Sequence, residues 1–163
     1  MYASDRDYMG LALEEAAHAL REGNLPVGAV VVYRGSVVGT GRRSGTRKRE
    51  LRHAELKAIK QVLHRELEGR EMTLYVTLEP CIMCFGALLH LRIGTIVYGL
   101  EDPYGGAAHT QVEALPPRHR HEFPCIRSGV MREESRLLLK EFFTITHDKC
   151  WKDVGNPLVR LCK

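Results

Sequence analysis

Imidazole nitrogen and thiolate sulfur bind zinc well, and a catalytic zinc site takes three protein ligands and leaves the fourth position open. Two short stretches of this sequence supply such a set: His53-Ala54-Glu55 and Glu79-Pro80-Cys81-Ile82-Met83-Cys84. Cys81 and Cys84 stand three apart, a spacing that puts both on one side of a first helical turn. A helix N-terminus lowers a thiol's pKa from its usual ~8.5 and favours the thiolate that binds metal. His53, 28 residues before Cys81, supplies the third ligand. Glu55 lies two residues after His53, placed to reach a water on the metal without ligating the metal itself. A carboxylate there takes the water's proton and delivers it to a leaving group. No second C-x-x-C completes a zinc ribbon, and a redox C-x-x-C would leave His53 and Glu55 unexplained. Cys125, Cys150 and Cys162 read as core or surface thiols.

Both stretches need helix starts held against a common frame. The apolar stripe Leu11, Ala12, Ala16, Ala19 and Leu20 predicts a helix over 5–22, capped by Ser4 or Asp5 and closed by Gly23-Asn24. Ala29 to Tyr33 and Ser36 to Gly39 predict a hairpin through Arg34-Gly35. A basic, glycine-bearing loop follows over 41–52. Leu56, Ile59, Val62 and Leu63 predict a helix over 53–67 with those side chains inward. Then come a strand over 72–78, a helix over 80–91, a strand over 93–98, loop-rich chain over 101–124 and a helix over 133–143. Strands alternating with helices argue an α/β layered domain over 1–145 with helices packed on a central sheet. The tail, 146–163, carries no interpretable motif.

The chain has 163 residues, 44% hydrophobic and 27% charged, enough to bury a core. No apolar stretch approaches the ~18 residues of a membrane span, and the start, Met1 to Asp7, lacks the basic and apolar runs of a signal peptide. Five cysteines, an odd number, argue against a secreted disulfide framework. These features predict a cytoplasmic protein with no membrane partner.

The pairing of H-x-E with P-C-x-x-C resembles the signature of the cytidine deaminase-like superfamily. The likeness extends to Pro26-Val27-Gly28-Ala29, Thr73 to Cys81, Gly86-Ala87, Arg92-Ile93-Gly94, Asp102, Gly106-Ala107 and Phe142-Phe143. Over about 5–145 the chain resembles the bacterial tRNA-specific adenosine deaminases. The resemblance implies a three-layer α/β fold with a central mixed sheet and helices on both faces, usually a homodimer. It implies Zn2+ on His53, Cys81 and Cys84, Glu55 as the catalytic proton shuttle, and hydrolysis of an exocyclic amine to a carbonyl. It also places the substrate base near Val27, Leu78, Glu79 and Pro80, with the Ala54 amide contacting the ring.

The sequence departs from that family in the loop before the histidine. An Asn that contacts substrate is expected about ten residues before the ligating His, where this chain reads Gly41-Arg42-Arg43-Ser44-Gly45. Its only asparagines are Asn24 and Asn156. Glu50-Leu51-Arg52 replaces the family's Asp-Pro, and Ala108-His109 follows Gly106-Ala107. Arg42, Arg43, Arg47, Lys48, Arg49 and Arg52 make the loop strongly cationic. It would suit RNA phosphates or the phosphate of a nucleotide, and Arg42 or Arg43 could replace the missing Asn by donating to a ring acceptor. Arg118-His119-Arg120-His121 is a second basic stretch. Adenosine deamination in tRNA is the leading expectation. Deamination of a free base or small nucleotide of guanine or cytosine type remains open, as does a zinc-dependent RNA-binding module without activity.

Overall fold

Ser4 fixes the start of the first helix, α1 (Asp5–Arg21): its hydroxyl accepts from the Asp7 amide, and the Asp7 carboxylate accepts from the Ser4 amide at 2.6 Å. This capping box satisfies two otherwise orphaned donors. The structure, a computed structural model, describes residues 4–46, 51–147, 151 and 156–162. After α1 the chain forms the hairpin β1 (Gly28–Tyr33) and β2 (Ser36–Arg42). Its two-residue turn has positive φ at both Arg34 (48°) and Gly35 (81°), the geometry that matches the twist of the strands it joins. The arginine in this left-handed position is tied down by Glu71, whose carboxylate accepts from Arg34 Nε at 2.6 Å.

Next come α2 (Ala54–Lys60), β3 (Met72–Leu78), α3 (Ile82–His90), β4 (Thr95–Leu100), α4 (Pro117–Arg120), β5 (Cys125–Arg127), α5 (Arg132–Ile145) and α6 (Pro157–Leu161). The five strands form one mixed sheet in the order β2-β1-β3-β4-β5. β1 runs antiparallel to β2 and β3, while β3, β4 and β5 are parallel. Side chains alternate across the sheet as the pleat requires. Val30, Val32, Tyr75 and Val97 pack with Tyr8, Met9 and Ala12 of α1. Ala29, Val31, Leu74, Val76 and Ile96 pack with Ala54, Ala58, Phe85 and Leu88 of α2 and α3. α5 lies beside α1 and meets β4 where Gly99 abuts Ser135. Helices thus cover both faces, the layered mixed-sheet arrangement expected.

Several boundaries differ from the sequence expectation. α2 ends at Lys60 because the following amides of Gln61, Val62 and Arg65 bond three residues back. These tighter turns bury Val62 and leave Leu63 outside, 55% exposed. α3 begins at Ile82 because Cys81 is its extended N-cap, bridged to Gly106. The strand expected over 93–98 runs Thr95–Leu100, with Ile93 buried ahead of it. β5 falls where no strand was expected. α6 lies in the tail, where Asn156 Oδ1 caps it by accepting from the Leu158 amide and Leu158, Val159 and Cys162 are buried. Among the described residues no helix is long and apolar enough to cross a membrane.

Gly41 decides how closely α2 approaches the sheet, since a Cβ there would lie 2.2 Å from the Ala54 carbonyl oxygen. Gly41→Ala should therefore cost about 1–3 kcal/mol of unfolding free energy. Gly10→Ala, with nothing within 4 Å of the added carbon, should stabilise α1 by about 0.5–1 kcal/mol. Urea unfolding of both variants checks the opposite signs.

Candidate active site

His53 is the N-cap of α2 and Cys81 the N-cap of α3; Cys84 stands one turn into α3. The two helix starts face each other at the ends of β2 and β3, bringing the three side chains together. Cys81 Sγ and Cys84 Sγ each lie 3.5 Å from His53 Nδ1. All three donor atoms fall within 4.8 Å of one another. Tetrahedral zinc with Zn–S ~2.3 Å and Zn–N ~2.0–2.1 Å requires S···N edges of about 3.6 Å. The donor set and its spacing therefore fit zinc, with one position left over. Cys81 is drawn down to about 3, first by its hydrogen bond with Cys84 and then by His53; Cys84 is pushed up by that same bond and by burial. A metal cation would favour the thiolate of both.

Glu55 sits in the first turn of α2, 4% exposed. Burial raises its pKa, and its own backbone amide partly offsets this. A carboxyl raised in this direction takes up a proton more readily than a free one, as a proton carrier must.

Glu79 does a different job. Its buried carboxylate accepts from the Asp102 amide (3.0 Å), the Ala108 amide (3.0 Å) and His109 Nδ1 (2.7 Å). The Ala107 amide donates to the Pro80 carbonyl at 2.9 Å, and the Gly106 position admits no Cβ, which would fall 2.4 Å from Glu79 Cδ. The 102–108 turn is thereby tied to the segment that leads into the metal ligands.

Between these parts lies a cavity of about 220 Å³. His53, Glu55 and Cys81 reach its floor, and Leu25, Val27, Ala54 and Leu78 give it apolar walls. Arg43, Glu79, Asp102, Tyr104, Gly105 and Trp151 complete it. Of the substrate-contact candidates, Val27, Ala54, Leu78, Glu79 and Arg43 line the cavity. Pro80 does not, although its carbonyl holds the 102–108 turn. Arg42 turns away toward α1, where it pairs with Glu22 (2.8 Å) and Glu15 (3.2 Å) in a separate surface groove. Arg47, Lys48 and Arg49 lie outside the described residues. Arg118 to Arg120 form α4, remote from the cavity lining. Leu25, Tyr104, Gly105 and Trp151 are cavity residues that no motif announced; Trp151 is held there by stacking on Phe143 at 6.0 Å.

The sequence model of the family described as the cytidine and deoxycytidylate deaminase zinc-binding region matches residues 2–100. A tRNA-specific adenosine deaminase of Agrobacterium fabrum is 40% identical over 144 residues, covering 83% of this chain and 91% of its own. A tRNA-specific adenosine deaminase 2 of Danio rerio is 37% identical over 167 residues, covering 92% and 78%. Among solved structures, one of a tRNA:A34 deaminase superposes with a TM-score of 0.70 at 36% identity, covering 81% of this chain and 98% of that one. A guanine deaminase of Nitrosomonas europaea shares the fold at 22% identity and a TM-score of 0.68, covering 86% and 85%. The matching family is described by its zinc-binding region, and His53, Cys81 and Cys84 are the described residues whose donor atoms could hold such an ion.

Purified protein should carry about one zinc per chain, as a single three-ligand site requires. Cys84→Ala should abolish it, and Arg42→Ala should retain it; elemental analysis of the two variants checks both. Glu79→Ala should destabilise the fold by ~2–4 kcal/mol, since three donors lose one charged acceptor, measured by chemical unfolding.

Proposed function

The chain belongs to the cytidine and deoxycytidylate deaminase family of zinc-dependent enzymes, and from that premise we propose that it converts adenosine to inosine in tRNA. The observation that carries the reading is the buried Glu55 carboxyl beside an open three-ligand zinc cluster, on the floor of a cavity sized for little more than a base. The tRNA part of the reading is supported by relatives at 35–40% identity named for that activity.

His53, Cys81 and Cys84 would hold zinc, which when bound would lower the pKa of a water toward neutrality. Glu55 would take one proton from the attacking water and give it to a ring nitrogen as the oxygen adds at the amine-bearing carbon, then take the second from the added hydroxyl and give it to the departing amine as the C–N bond breaks and the carbonyl forms. One water is consumed and one ammonia released, leaving a carbonyl. Val27 and Leu78 hold the base from their sides of the cavity, and the Ala54 amide donates to the ring. Arg43, a donor with no acceptor atoms, faces an acceptor on the substrate. Glu79 acts through the 102–108 turn, and Pro80 sets the approach to Cys81.

On this reading the deaminase domain spans 1–145, with 146–163 a tail that packs against it through Trp151 and Leu158, and the enzyme works in the cytoplasm as a homodimer. Leu51 and Ile82, both exposed and next to metal-binding segments, are apolar surface that such pairing would cover.

Glu55→Gln should keep zinc and the wild-type melting temperature yet lose at least ~10²–10⁴-fold in kcat. The assay is inosine formation in a tRNA transcript, run beside ammonia release from guanine, cytosine and their nucleosides. A wild-type enzyme that deaminates guanine and leaves tRNA unchanged overturns the tRNA reading while preserving the zinc mechanism.

A further inference from the structure

The cavity, at about 220 Å³, falls below the ~300–1,000 Å³ of sites that enclose a whole small ligand. A base fits inside, but its neighbours along a nucleic-acid strand must lie across the mouth. What stands at the mouth therefore meets the flanking nucleotides. Tyr104 stands there: it lines the cavity and is 68% exposed.

Such exposure of a large aromatic ring would mean little on a loose loop, but this turn is braced along its length. Asp102 donates its amide to Glu79 at 3.0 Å, and its own carboxylate accepts from the Tyr104 and Gly105 amides at 3.0 and 3.1 Å. The Gly106 amide donates to the Asp102 carbonyl, the Ala107 amide to Pro80 and the Ala108 amide to Glu79. Pro103 has no amide to donate. Every backbone donor from Asp102 to Ala108 is thus engaged, and the ring is presented on a fixed support anchored two residues from a zinc ligand.

Resting on the reading that the substrate is RNA, we propose that Tyr104 is a stacking platform for a nucleobase adjoining the reacting one. Single-stranded RNA offers splayed bases whose faces stack on aromatic side chains, largely without regard to sequence. Extracting the target base unstacks its neighbours, and a preset aromatic ring restores one of those lost stacks. Tyr104 is then a positioning residue: it touches the strand, and through the strand sets the depth at which the reacting base sits over Glu55.

The test uses the full-length zinc enzyme and three RNA anticodon-type hairpins: intact, abasic 5′ to the target adenosine, and abasic 3′ to it. For wild type, removing one of the two neighbouring bases should lower kcat/KM roughly 5- to 150-fold, the loss expected for one base–aromatic stack. Tyr104→Ala should show the same loss on the intact hairpin and no further loss on that abasic one. Tyr104→Phe should stay close to wild type. Zinc content and melting temperature should match wild type in both variants. Wild type indifferent to both abasic sites, losses that multiply for both neighbours, or Tyr104→Phe as poor as Tyr104→Ala would overturn the stacking role. The abasic series on wild type decides the question even if Tyr104→Ala folds badly. Absence of inosine from every hairpin would refute the RNA reading itself.

Discussion

His53 comes from one helix start and the two cysteines from another, and chemistry requires their donor atoms to sit within a few ångströms. The protein meets this requirement by fixing both helices to one sheet. α2 is pressed onto β2 at Gly41, where the absent side chain lets the Ala54 carbonyl come close. α3 is held by Phe85 and Leu88, both fully buried under β3 and β4. Holding two thiols and an imidazole this close lowers the pKa of Cys81 and raises that of Cys84, and burial raises that of Glu55. A dication held by the three donors would favour both thiolates.

The second tie is the Glu79 carboxylate, which couples the metal segment to the mouth of the cavity. Glu79 leaves β3 on the residue before Pro80, so its main chain leads directly into Cys81. Its side chain reaches across to hold the 102–108 turn. A shift of one would move the other, because each donor on that turn is satisfied only in this arrangement. His109 adds a third donor from the solvent side, 70% exposed. Substrate contact at the mouth and ligand placement at the floor are thus parts of one hydrogen-bonded unit, and the small cavity between them leaves little freedom for a misplaced base.

The Cys81–Cys84 pair and the place of Glu55 beside His53 were legible in the sequence because each is local to one helix start. Strand Met72–Leu78 and the Arg34-Gly35 turn were legible for the same reason. Other parts depend on register and distant packing. Arg42 and Arg43 read alike in the sequence, yet a strand sends neighbours to opposite faces. Since Arg42 pairs with Gly28 in the sheet, it falls on the α1 side beside Glu15 and Glu22, and Arg43 falls toward the cavity. Trp151 could not be assigned from a tail without motif, because its place depends on Phe142 and Phe143 of α5. The early end of α2 was hidden because Leu63 continues the apolar period, while the chain must turn back there to reach β3.

The distribution of charge follows from the same register. Arg42 is matched by two carboxylates, and exposed pairs of this kind contribute little to stability. Their larger effect is to remove one cation from the face that looks toward the cavity. Lys57 lines the same groove as Arg42; burial lowers its pKa first, Arg42, Arg52 and Arg43 lower it further, and Glu22 raises it. Its ammonium donates to Ser44 Oγ at 2.8 Å, a neutral acceptor that satisfies the hydrogen bond without cancelling the charge. Cations crowded this way repel each other in the isolated protein, and a polyanion laid along them removes that repulsion while releasing its own counterions. A free base carries no charge to do so. Phosphates laid along that groove would thus meet Lys57 and the arginines around it, as the RNA reading proposed above requires.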